Sequence, residues 1–235
     1  MGRARQGVTK PFICRGDDGH GYYVKGQDAG RRSLVCEWVA AQLATRFGLP
    51  IADYALAEVP AELIVPGQGL ELSQLGAGIV FASRELPHVQ ELSVTTRALV
   101  GVEQATDVLV FDWWLHNEDR HLTAFGGNPN LLWDVQTEQL AVIDHNQAFD
   151  PSFNATHFLA SHVFGACWNR VSTDLVEQAK YLEKMELVLA DLNIVRDSIP
   201  EDWWFVDDGV PANVSWDEIV RCLERCHQDD FWTAP

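Results

Sequence analysis

The chain has 235 residues, 47% of them hydrophobic, and 34 acidic against 17 basic residues give it a formal net charge of −17. This length and apolar content can bury a sizeable core. The negative charge argues against binding to nucleic acid or to anionic membranes, because both need a basic protein face. A partner that carries phosphate would therefore have to be bound locally.

The sequence also indicates a compartment. No apolar run approaches the ~18 residues that a membrane-spanning helix needs, and MGRARQG is not followed by the apolar core of a signal peptide. The five cysteines are scattered without paired CxxC spacing, so we expect reduced thiols and a cytoplasmic location. Cys222, Cys226 and His227 could contact a metal from one helix, but packing is the better interpretation because a structural zinc site needs a fourth ligand.

The segment from Pro11 to Gly26 predicts a β-hairpin. Two short runs rich in β-branched and aromatic residues, PFICRG and GYYVKG, flank DDGH, which supplies the residues of a tight turn. Lys25 ends the second predicted strand.

A helix and two further strands follow. SLVCEWVAAQLATRFGLP has apolar residues at helical spacing, with Ser33 as the expected N-cap and Gly48 as a stop signal, and Glu37 lies at the edge of the apolar stripe. DYALAEV and GIVFASREL predict strands joined by a Gly-rich connection. These elements predict a small lobe of one sheet and one helix over residues 1–88.

The pattern becomes helical over residues 89–235. TTRALVGVEQATDVLVFDWWLHN predicts one helix of about six turns that leads into the polar stretch NEDRH. NLLW and QLAVID predict a hairpin across DVQTE that ends at Asp144. STDLVEQAKYLEKMELVLADL and SWDEIVRCLERCH predict later helices, the second with a Ser215/Glu218 capping box. The predicted fold class is α+β, a small β-rich lobe followed by a helical lobe.

The polar stretches between these elements carry an unusual density of functional side chains. Any single Asp, Asn or His in LHNEDRHLTAFGGNPNLLWD or AVIDHNQAFD is explained by a helix cap or a turn. Together they form a pattern: an acid and an asparagine on a loop, followed by a hairpin and then an aspartate. This pattern matches the needs of phosphoryl transfer, in which one carboxylate orients the attacking hydroxyl while Asn and Asp oxygens hold Mg²⁺. Upstream, Lys25 and Glu37 supply a cation for the nucleotide phosphates and a carboxylate that positions it.

Several segments together resemble the HipA-like kinases of bacteria, particularly their short single-unit branch. The segments are GVTKPFICRGDDGHGYYVKG, SLVCEWVAAQLATRFGLPIADY, NEDRH, NPNLLW and LAVIDHNQAF, and they run from about Gly7 to Phe149. NEDRH is also distantly similar to the DRH loop of phosphatidylinositol 3-/4-kinases. The resemblance implies a two-lobed protein-kinase-like fold and transfer of the γ-phosphate of ATP, with Mg²⁺, to a hydroxyl, most simply a Ser or Thr of a protein. We also expect a small regulatory partner protein.

The resemblance further implies a role for each matching residue. Gly7, Val8 and Thr9 would form a phosphate-binding loop, and the backbone of Ser83, Arg84, Glu85 and Leu86 would form the hinge that meets adenine. Lys25 would be the nucleotide lysine and Glu37 its helix partner. Asp119 would be the catalytic aspartate, and Asn128 and Asp144 would be the two metal ligands.

Two features depart from the family pattern. The asparagine follows the catalytic aspartate by about five residues in the family, whereas Asn128 follows Asp119 by nine. We expect Gly126 and Gly127 to absorb the extra chain in a bulge, with Asn130 as the alternative ligand. The chain also begins six residues before Gly7, so we expect weaker cover of the phosphates.

Other hypotheses stay open at this stage. A nucleotide-binding pseudokinase with a regulatory role would account for the longer loop. A metal-dependent hydrolase would use His116, Asp119, His121, Asp144 and His145, although His121 and His145 are better interpreted as orienting or turn-forming residues. Arg120 could neutralise a phosphate or pair with an acid. Three hydroxyl residues after Asp144 are candidate autophosphorylation sites: Ser152, Thr156 and Ser161.

Overall fold

An antiparallel five-stranded sheet contains the nucleotide lysine predicted above. The structure is a computed structural model that describes residues 2–3, 11–64 and 70–233. The strands lie in the order β1-β2-β3-β5-β4, and Lys25 ends the central strand β3, opposite Phe81 on β5. The predicted hairpin and the two further strands are confirmed as β2 to β5. The bounds are β1 (Gly2–Arg3), β2 (Phe12–Arg15), β3 (Gly21–Lys25), β4 (Tyr54–Val59) and β5 (Gly78–Arg84).

Helix α1 (Arg31–Phe47) connects β3 to β4 and ends, as predicted, at Gly48 in the left-handed conformation. The prediction of Ser33 as its N-cap was wrong. Gly30 precedes the helix with a φ of 80°, and its carbonyl accepts the first helical hydrogen bond from the N–H of Leu34. Two arginines therefore occupy the first turn, and the Ser33 hydroxyl is buried within the helix. A short helix that the sequence did not indicate, α2 (Leu70–Leu75), precedes β5.

The single six-turn helix predicted after residue 93 is two helices. β6 (Val89–Glu91) is followed by α3 (Val94–Arg97), and α4 (Val102–Leu115) starts only after Gly101. Gly101 is extended, with a φ of −60° and a ψ of 140°, which breaks the helical hydrogen-bond ladder. Apolar periodicity continues across the break, and for that reason the sequence predicted one helix.

The chain after α4 forms two hairpins. β7 (His121–Thr123) pairs with β8 (Gly126–Asn128), so the extra chain before Asn128 forms a hairpin and the predicted bulge was wrong. Gly126 turns this hairpin with a φ of 110°, and a Cβ at Gly127 would overlap the carbonyl of His121. The predicted hairpin across DVQTE is confirmed as β9 (Leu131–Asp134) and β10 (Gln139–Val142), which join β6 in the order β10-β9-β6.

The rest of the described chain is mostly helical. The two predicted helices are confirmed, and the second has the predicted capping box between Ser215 and Glu218. The first ends earlier than predicted, because the chain turns at Ala190 and Asp191 before the next helix. The elements are α5 (Ala155–Ser161), α6 (Trp168–Ser172), α7 (Leu175–Leu189), α8 (Leu192–Asp197), β11 (Phe205–Asp207), β12 (Val210–Pro211) and α9 (Trp216–Leu223).

Helix α1 belongs to the main hydrophobic core, which extends from Phe81 of the sheet through α4 to Met185 of α7. A smaller cluster, including Phe12 and Val80, packs within the sheet. Two indole N–H groups also join the N-terminal and helical parts: Trp38 donates to the Ser198 hydroxyl at 2.8 Å, and Trp203 donates to the carbonyl of Ile79 at 3.2 Å. The molecule is thus a mixed α/β fold with a shared core, and the division at residue 88 stays a prediction.

None of the helices in the described segments combines the length and apolarity that crossing a bilayer requires.

Candidate active site

Lys25 lies between two carboxylates that the sequence separates widely. Its Nζ donates to Glu37 Oε2 at 2.8 Å and to Asp144 Oδ1 at 2.7 Å. The geometry follows from the fold, because β3 ends at Lys25, α1 buries Glu37 against the sheet, and β10 delivers the chain to Asp144. The three side chains that the resemblance selected therefore form one ion-paired cluster.

The charges in this cluster stabilise one another. Burial by itself would lower the pKa of Lys25, but the carboxylates of Glu37 and Asp144 outweigh it and raise that pKa. Burial raises the pKa of Glu37, against the opposing effect of Lys25. Burial would likewise raise the pKa of Asp144, but the Lys25 ammonium prevails and lowers it. At neutral pH Lys25 is a fixed cation and Asp144 a fixed anion.

The chain after Asp144 is held from α1. Asp144 itself has a φ of 56°, and the N–H of His145 donates to Glu37 Oε1 at 3.2 Å. Glu37 thereby contacts both Lys25, the predicted nucleotide lysine, and the backbone that carries Asp144, the predicted metal ligand. This contact sets the direction in which the Asp144 side chain leaves the turn.

Arg32 makes a second contact between α1 and this segment. Its guanidinium donates to the carbonyl oxygens of Asn146 at 3.4 Å, Ala148 at 3.0 Å and Phe149 at 3.2 Å. Sequence reasoning missed Arg32, because it belongs to no motif and its acceptors are backbone atoms far along the chain. Its location on the same helix as Glu37 was the one available signal.

The carboxylate of Asp119 is bracketed by both candidate asparagines. Asn128 Nδ2 donates to Oδ1 at 3.0 Å, and Asn130 Nδ2 donates to Oδ2 at 3.0 Å and to the Asp119 carbonyl at 2.9 Å. A carboxylate only accepts hydrogen bonds, so each amide must turn its nitrogen to Asp119 and its oxygen away from it. Burial raises the pKa of Asp119, although the two amide hydrogen bonds act in the opposite direction.

Arg120 is fully buried and joins the two parts of the site. Its Nε lies 2.8 Å from Asp112 Oδ2, and its Nη1 donates to the carbonyl oxygens of Asn130 at 2.5 Å and Ile143 at 2.8 Å. Of the two interpretations left open, pairing with an acid is the one observed. Arg120 therefore fixes the backbone beside Asn130 and the residue that precedes Asp144.

Asp112 on α4 is the centre of this buried network. Besides Arg120, it binds Asn117 Nδ2 at 2.7 Å and His162 Nε2 at 3.1 Å. The N–H of Phe164 donates to His162 Nδ1 at 3.1 Å, so the ring proton must be on Nε2 and is donated to Asp112. The sequence did not indicate Asp112 or His162 as site residues, because an acid and a histidine this far apart have no local pattern.

Comparison with known proteins identifies the family of the chain. The family model described as HipA-like kinase matches residues 1–235. The chain belongs to the HipA-like kinase family. The match covers the last third of the chain, beyond the segments that carried the resemblance. Among solved structures, the chain is similar to the proinflammatory kinase CtkA of Helicobacter pylori, with a TM-score of 0.49 and 11% identity over 96% of this chain and 89% of that chain. No curated protein matches the chain.

The histidines of this HipA-like kinase are not assembled into a metal site. Burial lowers the pKa of both His116 and His145 to about 3. His116 stacks on Phe153 with 4.1 Å between ring centroids, and His145 packs edge-on against Phe111. Across the described parts of the chain, no group of three or more His, Cys, Asp and Glu side chains is placed to hold a metal ion. Of the enzyme classes left open above, the kinase is the one that the family match supports.

The predicted nucleotide contacts of the kinase are placed only in part. Ser83 and Arg84 lie in β5, the Arg84 N–H donates to the carbonyl of Asp53 at 2.7 Å, and the Glu85 N–H donates to that of Gly21 at 2.9 Å. These sheet contacts occupy two of the four predicted hinge N–H groups, and Ser83 is paired inside the sheet with Tyr23 of β3 and Tyr54 of β4. Leu86 lies beyond the end of β5, so we expect an adenine contact through an N–H donor there. The predicted phosphate loop, Gly7 to Thr9, lies outside the described residues.

Proposed function

We propose that this HipA-like kinase transfers the γ-phosphate of ATP, with Mg²⁺, to a Ser or Thr hydroxyl of a protein. The observation that carries the proposal is the pair of clusters that Arg120 joins: Lys25 with Glu37 and Asp144, and Asp119 with its two asparagines. They supply a cation for phosphate, a carboxylate for a hydroxyl, and oxygen ligands for a metal, which are the components of phosphoryl transfer.

The side chains fit a hard divalent cation. Asp144 accepts its hydrogen bonds from Lys25 and from the Asn146 N–H at Oδ1, which leaves Oδ2 to face a ligand. The amide oxygens of Asn128 and Asn130 point away from Asp119, and carboxylate and amide oxygens are ligands that Mg²⁺ prefers. Mg²⁺, when bound, would neutralise charge on the nucleotide phosphates. Asp144 would hold it, with either asparagine as the second protein ligand.

Lys25 is oriented to bind a phosphate. An ammonium group has three N–H donors, and Glu37 and Asp144 accept two of them. The third would donate to a phosphate oxygen of ATP. Glu37 holds the lysine in this orientation, and its burial between α1 and β3 prevents the pair from separating into solvent.

Asp119 is prepared to orient an attacking hydroxyl and to accept its proton. Two neutral amides fix the carboxylate plane, and each oxygen keeps a further lone pair for the hydroxyl. Burial raises its pKa, and a base with a raised pKa accepts a proton more readily.

The acceptor, the partner and the location remain part of the proposal. The formal net charge of −17 disfavours a nucleic-acid acceptor, and a protein hydroxyl is what the resemblance implies. We likewise retain a cytoplasmic kinase with a small regulatory partner protein as our expectation.

Two measurements on the purified chain test the proposal. Calorimetric titration with Mg·ATP should show binding, and γ-³²P-labelled ATP should transfer its label to protein. Asp144→Asn should abolish transfer and weaken Mg·ATP binding without lowering the melting temperature much, because Glu37 still pairs with Lys25. Asp197→Asn, which changes an exposed aspartate that pairs with Arg196, is the matched control.

The outcomes separate the remaining hypotheses. Binding of Mg·ATP without transfer under any condition would favour the regulatory pseudokinase, for which the nine-residue spacing between Asp119 and Asn128 is the specific observation. No binding of nucleotide would reject a nucleotide site. Transfer by Asp144→Asn at the wild-type rate would reject the metal assignment alone.

A further inference from the structure

A groove of about 490 Å³ opens beside the segment that carries Asp119. The corner between α3 and α4 forms one wall, β7 forms the second, and the segment from α5 to Cys167 forms the third. Its lining mixes apolar and polar groups and includes Arg97, Val102, Leu122, Leu159 and Phe164. None of these residues has a role in the phosphoryl-transfer site described above.

The groove is attached to the backbone of the catalytic segment. β7 starts at His121, directly after Arg120, and His121 forms an antiparallel bridge with His162 on the opposite wall. The N–H of Val163 donates to the Arg120 carbonyl at 2.9 Å. Two walls of the groove are therefore joined by main-chain contacts to Arg120 and His121, the residues that follow Asp119.

Exposed apolar side chains occur on the elements that form two walls of the groove. Leu99 is 62% exposed and Val102 is 56% exposed at the α3–α4 corner, and Phe125 is fully exposed at the tip of the β7–β8 hairpin. The hairpin is the extra chain between Asp119 and Asn128. Exposed apolar groups on elements that form a groove favour an interaction surface there, because leaving them in water is unfavourable.

Arg97 gives the groove a charge. Between residues 11 and 233, five arginines have a carboxylate partner among the described residues, and six, Arg97 among them, have none; Arg97 is the one of these six that lines the groove. For Arg97, no carboxylate of the described residues lies within 4.0 Å, although the chain has 34 acidic and only 17 basic residues. The Arg97 guanidinium is therefore a cation at the groove that can pair with an external anion.

We propose that this groove binds the acceptor polypeptide through a segment in which an apolar residue adjoins an acidic one. The apolar side chain would enter between Val102 and Leu122, and the carboxylate would accept hydrogen bonds from Arg97, whose planar group matches a carboxylate well. The proposal rests on the proposed function, and it specifies which proteins the kinase would select.

Four labelled peptides test the groove directly. Each peptide has a Gly/Ala background, one threonine and, at varied spacing from the threonine, one of the pairs Leu–Asp, Leu–Lys, Ser–Asp or Ser–Lys. Binding of each peptide to the full chain is measured by fluorescence anisotropy without ATP. The wild type should bind the Leu–Asp peptide about tenfold more tightly than the Leu–Lys peptide, as expected for one charge-assisted pair. Arg97→Glu should reverse this preference. Arg221→Glu, at an exposed arginine of α9, is the matched control and should not.

Val102→Ser supplies an independent variant. It should weaken both Leu peptides and leave the preference for Asp over Lys intact, with an unchanged melting temperature. The same ranking of the four peptides by wild type and Arg97→Glu would overturn the proposal. The proposal would also be overturned if sedimentation equilibrium showed a dimer for the wild type and a monomer for Arg97→Glu, because the groove would then bind a second copy of the chain.

Phosphotransfer assays on the same peptides keep the two proposals distinguishable. Selective peptide binding without label transfer would contradict the proposed function and support the groove. Label transfer to all four peptides at equal kcat/KM would support the proposed function and overturn the groove.

Discussion

Lys25 and Asp119 lie in contrasting electrostatic surroundings. Lys25 contacts two carboxylates, which raise its pKa against the effect of burial. Asp119 contacts two neutral amides, and burial raises its pKa. One part of the site therefore holds permanent charges suited to binding phosphate and metal, whereas the other holds a carboxylate that can exchange a proton.

Asp119→Asn tests the role of this carboxylate. The variant keeps the shape of the side chain but loses the acceptor, so transfer should slow by the ~10²–10⁴-fold typical of a lost positioned base. Calorimetric binding of Mg·ATP should be nearly unchanged, since Lys25 and Asp144 are intact. A transfer rate within about twofold of wild type would contradict a catalytic role.

The pH dependence of transfer tests the same residue. A base works when deprotonated, so kcat should fall as the pH falls through the pKa of Asp119, and burial places this acid limb above the ordinary aspartate pKa of about 3.9. Asn128→Leu removes a hydrogen bond that lowers the pKa of Asp119, so the limb should move to higher pH. Asn193→Leu, on the exposed surface of α8, is the control. A limb that stays in place or moves to lower pH would contradict the interpretation.

At the scale of elements, α1 determines most of the site geometry. It presents Glu37 to Lys25 and His145, and its first turn presents Arg32 to the carbonyls of residues 146–149. Gly30 makes this possible, because the helix starts early enough to include Arg32 in a helical turn. A start at Ser33 would have left that arginine outside the helix.

Arg32→Ala should loosen the segment after Asp144. Hydrogen–deuterium exchange at residues 146–149 should accelerate, and kcat should fall about tenfold. The free energy of unfolding should fall by only ~1–3 kcal/mol, because water can replace Arg32 as the donor to the three carbonyls. Arg32→Lys should be intermediate, since an ammonium cannot reproduce the planar fork. Arg31→Ala, its helical neighbour, is the control. Faster exchange throughout the chain would indicate a general loss of stability and contradict positioning by Arg32.

At the scale of the whole molecule, one hydrophobic core joins the sheet to the helices. α1 packs on α4, α7 and α8, and Phe81 of β5 lies in the same cluster as Met185 of α7. The ion pair between Lys25 and Asp144 depends on this packing, because the two residues are 119 positions apart. Their alignment is a property of the complete fold.

Met185→Ala tests the shared core. The side chain is fully buried, so the cavity should cost about 2–5 kcal/mol of unfolding free energy. Circular dichroism and tryptophan fluorescence should still report one coincident transition at lower denaturant, and residues 1–88 alone should not fold. Leu187→Ala, at an exposed position of the same helix, is the control. Two separate transitions would show that residues 1–88 and 89–235 are independent units.

The sequence by itself determined the local elements and the types of residue at the site. Alternation and turn residues were sufficient for β2 to β5 and for the β9–β10 hairpin, and a capping box located the start of α9 at Ser215. The family resemblance selected Lys25, Glu37 and Asp144, whose side chains are in contact, although their catalytic roles stay predictions. These signals work because they report interactions between residues close in the chain.

Only the tertiary structure decided which groups face one another. It brought Asn128 and Asn130 to the same carboxylate, gave Arg120 to Asp112, broke the predicted long helix at Gly101, and formed a hairpin in place of the expected bulge. A buried polar group must find a partner, but the choice of partner depends on packing between distant segments and leaves no periodic pattern in the sequence. The charged groove at Arg97 arises in the same way, from walls that three separate parts of the chain supply.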